Sequence, residues 1–102
     1  AGALSPKGSL KIDSGALGAL RKGRSLLPAG VMTVEGRFER GDLITIYNQV
    51  GEVVAHGLSA YSANDANIIR GHKSREIEAL LGYRGRDEII HADNLVMMDA
   101  TT

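Results

Sequence analysis

Hydrophobic positions fall in short runs that thirteen glycines interrupt, and the spacing within the runs changes along the chain. Residues 10–13 predict a short strand. Asp13 or Ser14 then caps a helix in which Ala16, Leu17, Ala19 and Leu20 form one apolar stripe. Arg21 and Lys22 fall in its last turn, where the negative end of the helix dipole favours cations, and Gly23 suits the residue just beyond. Over residues 31–38, Met32, Val34 and Phe38 share one face while Thr33, Glu35 and Arg37 share the other, the period of two expected of a half-buried strand. The ERGD sequence makes a turn, and residues 43–47 and 53–58 predict a hairpin across NQVGE.

Ser62 opens a second, brief helix with Asp65 three positions on, and RGHK ends it. Ser74 caps a third, whose Ile77, Leu80 and Leu81 give the helical spacing before Gly82 stops it. Residues 88–91 and 95–98 predict two closing strands around ADN. The order β-α-β-β-β-α-α-β-β predicts a mixed, β-rich fold with short α-helices, a barrel or pseudobarrel. The predicted division is a linker over residues 1–9, a single domain over 10–99 and a tail over 100–102. The opening AGALSPKG, small and proline-bearing with no methionine, reads as a linker within a longer protein.

Composition narrows the chemistry. Twelve basic and twelve acidic residues cancel, so no long-range field recruits polyanions. The charge is uneven, however: residues 1–24 carry five cations against Asp13 alone, and the remainder carries seven cations against eleven carboxylates. Affinity for phosphates should therefore sit near the amino-terminal part. The lack of cysteine excludes disulfides and zinc knuckles and fits a reducing compartment. No apolar run approaches the roughly 20 residues of a membrane helix, and no signal peptide is visible. A soluble, cytoplasmic chain with no membrane partner is expected.

No constellation supports catalysis. His56, His72 and His91 share no metal-ligand spacing. HADN lacks the spacing of a phosphoryl-transfer loop, and a turn built on Asp93 and Asn94 explains it better. There is no Gly-x-Ser-x-Gly elbow. GYRGRDEIIH reads as a solvated turn with surface ion pairs. RKGRSLLPAGV, at residues 21–31, crowds three cations, two glycines and a proline into eleven positions but lacks the lysine-serine ending of a nucleotide-binding phosphate loop. Single-strand RNA binders usually add exposed aromatics as stacking platforms, and this chain has only Phe38, Tyr47, Tyr61 and Tyr83. Catalytic, cofactor and metal residues are thus expected to be none.

Three stretches carry a resemblance: LKIDSGALGAL, then GRSLLPAGVMTVEGRFERGDLITI, then SREIEALLGYRGRDEIIHADNLVMM. Together they resemble the carboxy-terminal PUA domain of the bacterial glutamate 5-kinases, from Lys7 to Met98. The resemblance implies a PUA-like pseudobarrel, and a parent enzyme that phosphorylates glutamate with ATP and Mg²⁺ in a preceding amino-acid-kinase domain, the first step towards proline. It places no catalytic residue in this chain. It implies the kinase domain of the same chain as partner, and homo-oligomers through the parent. It also implies an RNA surface like that of other PUA domains, made of Lys11, Gly15, Arg21, Lys22, Arg24, Leu26, Leu27, Pro28, Gly30 and Val31. RNA-binding relatives tend to be basic overall, whereas this chain is neutral, and Ala92 stands where many relatives would carry a basic residue. A non-catalytic regulatory and assembly role is expected first, weak RNA binding second, and a structurally retained domain third.

Overall fold

A computed structural model describes residues 5–98. Five strands form one mixed sheet in the order β2-β1-β3-β4-β5. They are β1 (Gly8–Ile12), β2 (Val31–Gly36), β3 (Leu43–Tyr47), β4 (Val53–Leu58) and β5 (Leu95–Met97). β1 pairs parallel with β3, and the other three neighbours are antiparallel. The described residues also form three short α-helices: α1 (Ser14–Arg21), α2 (Ala63–Ile69) and α3 (Ile77–Leu81).

One continuous core sits against the sheet. Leu10, Ile12, Ile44, Ile46 and Ala55 supply it from the strands, Leu20, Ala66, Ile69 and Ile77 from the helices, and Leu26, Phe38, Tyr61, Ile89 and Ile90 from the connections. Each fully buried Ile or Leu contributes about 1.5–3 kcal/mol relative to an exposed one. The helices are too short to persist alone, so packing on the sheet holds them.

Local rules account for most boundaries. The Asp13 carboxylate accepts the Ala16 amide at 2.8 Å, and the Ser62 hydroxyl accepts the Asp65 amide at 3.2 Å, so both expected caps form. The hairpin has its predicted bounds, because the Asn48 side chain accepts the Val50 and Glu52 amides at 3.1 and 2.9 Å and fixes the turn. In ERGD the Asp42 amide donates to the Glu39 carbonyl at 3.0 Å, closing the expected turn.

Several expectations need correction. β1 starts at Gly8 rather than Leu10, because Gly8 already pairs with Gly36 and Ile44; two residues assigned to the linker are therefore strand. The tail at 100–102 lies outside the described residues. In β2 it is Val31 that enters the core, while Met32 stays 40 % exposed. Lys11 pairs with Thr33 and Ile12 with Val31, so Met32 is the extra residue of a bulge, and the alternation slips there. Ser74 does not cap α3: it lies in a 3₁₀ turn over Ser74–Glu76 and its hydroxyl donates to the Asp87 carbonyl at 2.7 Å. α3 is only five residues long, so Ile77 is buried while Leu80 remains exposed.

Residues 88–91 form no strand. Ile90 makes a single antiparallel bridge with Leu26, and the Ile89 carbonyl accepts the Ala60 amide at 2.8 Å, so the segment bonds to two different parts of the chain instead of one ladder. The surface ion pairs expected in GYRGRDEIIH do not involve its arginines: among the described residues the pairs are His72–Glu76 and His91–Asp93. The polar groups of this stretch instead tie it inward, where the buried Tyr61 hydroxyl donates to the Arg86 carbonyl. Burial first, then the charges of Asp87, Asp65 and Glu88, push the Tyr61 hydroxyl above its ordinary pKa and keep it a donor.

Candidate nucleic-acid interface

The junction from α1 to β2 is built from its ends inward. At the carboxy-terminal end of α1 the Gly23 amide donates to Leu20 and the Arg24 amide to Ala19, both at 3.0 Å, with Gly23 at φ +80°. This is a Schellman cap, and only a residue comfortable in the left-handed region closes it. The sequence RKG is thus a helix stop. After it Leu26 turns inward to its bridge with Ile90, and Pro28–Gly30 make one 3₁₀ turn leading into β2.

The other end of α1 meets this loop directly. The Asp13 amide donates to the Gly30 carbonyl at 3.0 Å. A Cβ on Gly30 would fall on the Cβ of Ala16, so glycine is what lets the helix lie against the strand entry. The Gly71 amide donates to the Pro28 carbonyl at 2.8 Å and the Ser25 hydroxyl accepts the Ala92 amide at 2.8 Å, which ties the loop to segments far along the chain.

Between helix and loop lies an open cleft of about 430 Å³ lined by Asp13, Gly15, Ala16, Ala19, Arg24, Ser25, Leu27, Ala29, Gly30 and Glu88. Of the ten residues expected to form an RNA surface, it gathers Gly15, Arg24, Leu27 and Gly30. Leu27 is 48 % exposed and offers an apolar platform at the rim. Leu26, Pro28 and Val31 are turned into the interior instead, where their side chains fill the core and cannot touch a ligand. Arg21 faces a different depression, shared with Asn48, Glu52 and Met97. Lys11 sits on β1 between Thr33 and Tyr47, while Lys22 is exposed past the helix end; neither lines the cleft.

Sequence reading missed Ser25 and Glu88, and it saw Asp13 only as a cap. Glu88 reaches the cleft because the Leu26–Ile90 bridge draws residues 88–90 alongside the loop, a pairing that no local pattern announces. Its arrival changes the electrostatics. One guanidinium shares the cleft with two carboxylates, so the cleft does not draw in anions. Chemically it is a mixed apolar and hydrogen-bonding surface with one cation.

The comparisons agree with this architecture. The PUA domain family profile matches residues 8–81, from the first strand through α3. This chain belongs to the PUA domain family. It is 56 % identical over 96 residues to the glutamate 5-kinase of Paramagnetospirillum magneticum, covering 94 % of this chain and 26 % of that protein. It is 55 % identical over 101 residues to the glutamate 5-kinase of Allorhizobium ampelinum, covering 99 % and 26 %. The chain therefore spans about a quarter of the length of these curated relatives. Among solved structures it resembles a PUA domain from Aeropyrum pernix K1, crystallised as a tartrate complex, with a TM-score of 0.59, 29 % identity, and coverage of 83 % of this chain and 42 % of that one. It also shares its fold with a chain of the archaeal box H/ACA sRNP Nop10–Cbf5 complex, with a TM-score of 0.58, 21 % identity, and coverage of 90 % and 23 %. This PUA domain is homologous to part of the glutamate 5-kinases, and its five-stranded mixed sheet with short helices is the PUA fold. No helix among the described residues is long and apolar enough to cross a membrane.

Proposed function

We propose that this PUA domain is the regulatory and assembly domain of a cytoplasmic glutamate 5-kinase. The observation that carries the reading is identity of 51–56 % across 94–99 % of the chain with relatives named for that activity. In the parent, a preceding amino-acid-kinase domain would bind ATP and Mg²⁺ and transfer the phosphoryl group to glutamate. The PUA domain would act on it through contacts, tuning inhibition by the end product proline and the assembly of a homo-oligomer. Its cleft offers a binding surface and not an acid–base pair, which suits a non-catalytic role. The test is deletion of the domain from the full-length kinase, with measurement of turnover, proline inhibition and particle size. The reading expects retained turnover with weakened inhibition or a changed size; inhibition and size both unaltered would remove it.

A second reading is RNA binding through the cleft beside α1, favoured by the placement of Arg24 and the exposed Leu27 in its lining. With Asp13 and Glu88 lining the same cleft, the contact would be weak and strongly salt-dependent. Titration with a hairpin RNA at low and moderate salt decides it.

A further inference from the structure

A second cleft, of about 320 Å³, opens where the Glu39–Asp42 turn meets the end of β4 and the segment before β5. Arg40, Arg86, His91 and Asn94 line it, over a floor that includes Gly41 and Ser59. No carboxylate lines it. Four other surface clefts among the described residues each carry at least one, including the cleft beside α1. Nor is either guanidinium engaged by an acid, since the close contacts of basic groups with carboxylates among the described residues are His72–Glu76 and His91–Asp93. In a chain whose charges balance, two arginines without an acid partner are a local departure, with one carboxylate close by, Asp93 Oδ2 at 3.6 Å from His91 Nδ1.

The carriers of these donors are fixed while their tips are exposed. The Gly41 amide donates to the Ser59 carbonyl at 2.7 Å and the Ser59 amide to the Asp42 carbonyl at 3.0 Å, which pins the turn bearing Arg40. The Tyr61 hydroxyl holds the Arg86 carbonyl from below, and a Cβ on Gly85 would run into the Tyr61 ring, so the chain passes close over that tyrosine just before Arg86. The His91 Nδ1 accepts the Asp93 amide at 3.0 Å. In the neutral ring that leaves Nε2–H as a donor. The Asn94 amide donates to the His91 carbonyl at 2.8 Å. Each donor thus projects from backbone that is already held, which lowers the ordering cost of binding.

From this geometry we propose that the cleft between Arg40, Arg86 and His91 is a binding site for a single phosphate group. Guanidinium forks match phosphate oxygens in a bidentate way, and imidazole and amide N–H groups can fill the remaining acceptor positions. The volume lies at the lower end of ligand pockets, about 300–1,000 Å³, so one phosphate with its sugar or short carbon stem fits. The source is a free phosphorylated small molecule or one phosphodiester of an RNA. The site does not depend on the kinase assignment, and it is separate from the cleft beside α1.

The experiment is an amide chemical-shift titration of the 102-residue chain with inorganic phosphate, adenosine monophosphate and a hairpin RNA, at ionic strength matched with chloride. The amides of Gly41, Arg86, His91 and Asn94 should move with at least one probe, while those of Gly15 and Gly30 stay still with the two small molecules. Arg40→Ala and Arg86→Ala should each weaken that response by about tenfold or more, the loss expected from one charge-assisted contact. Their unchanged spectra elsewhere would report an intact fold. A response to phosphate or the monophosphate assigns a free small-molecule ligand; one to RNA alone assigns the phosphodiester. No movement with any probe at millimolar concentration, or a response that Arg40→Ala/Arg86→Ala retains, overturns the site.

Discussion

The Leu26 amide donates to the Ile90 carbonyl at 2.9 Å, and the Leu26 carbonyl accepts the Ile89 amide at 2.8 Å. This contact joins the loop after α1 to the segment before β5, and both side chains are buried, at 1 % and 0 % exposure. Leu26 is followed by Leu27, which is 48 % exposed. Two adjacent leucines therefore have opposite duties, one in the core and one at the cleft rim.

That division predicts different costs for the same truncation. Leu26→Ala should destabilise the fold by about 2–5 kcal/mol, the range for a buried leucine leaving a cavity. Leu27→Ala should stay within about 0.5 kcal/mol, as for most surface positions. Urea denaturation of both variants checks this. Equal midpoints would mean that the Leu26 side chain is not packed in the core.

Gly30→Ala tests the close approach of α1 to the strand entry. The added Cβ would fall on Ala16, whose backbone is fixed by the Asp13 cap, so the helix must shift. A loss of about 1–3 kcal/mol is expected, as for overpacking elsewhere. Ala16→Gly in the same chain should recover part of it, less the roughly 1 kcal/mol that glycine costs inside a helix. A thermal melt of the single and double variants reads the coupling, and additive losses would show that the two residues do not meet.

Tyr83 gives a pH dependence of definite sign. Its hydroxyl donates to the Asp65 carboxylate at 2.6 Å, and this hydrogen bond, ahead of burial and the Asp65 charge, pushes its pKa up to about 12. An unfolded tyrosine titrates near 10. The raised folded value means that the interaction supports the fold fully below pH about 10 and is lost as pH rises through about 12. Ultraviolet titration of the phenolates should show a late-ionising tyrosine, and Asp65→Asn should bring it back towards the ordinary value. An unchanged curve in that variant would break the assignment.

How legible all this was in the sequence depends on range. The hairpin, the Asp13 and Ser62 caps and the Gly23 stop are written within a few residues of themselves, and they form as the local pattern predicts. Met32 was misplaced because a bulge is a property of two strands, visible only once Lys11 and Ile12 choose partners. Ser74 carries the signature of a cap, yet its hydroxyl reaches the Asp87 carbonyl, a competitor that no nearby residue reveals. At the candidate interface, Gly15, Arg24, Leu27 and Gly30 come together in one cleft because helix, loop and strand entry follow one another along the chain. Glu88 came in through a contact between residues more than sixty positions apart, and it adds a second carboxylate to the surface.

The effect of that carboxylate can be measured. If RNA binds beside α1, Arg24→Ala should weaken it and reduce the slope of log affinity against log salt by about one unit, the mark of a single lost phosphate contact. Arg21→Ala, whose side chain faces a different depression, should change the slope less. Glu88→Gln removes a carboxylate that faces the same cleft as Arg24 and should tighten binding, with the gain shrinking as salt screens the repulsion. Glu88 is half-buried at the cleft and makes no ion pair among the described residues, so its neutralisation should leave the fold in place. Fluorescence anisotropy with a labelled hairpin over a salt series reads all three variants. A Glu88→Gln variant that binds no more tightly at low salt would show that the cleft is not where RNA docks.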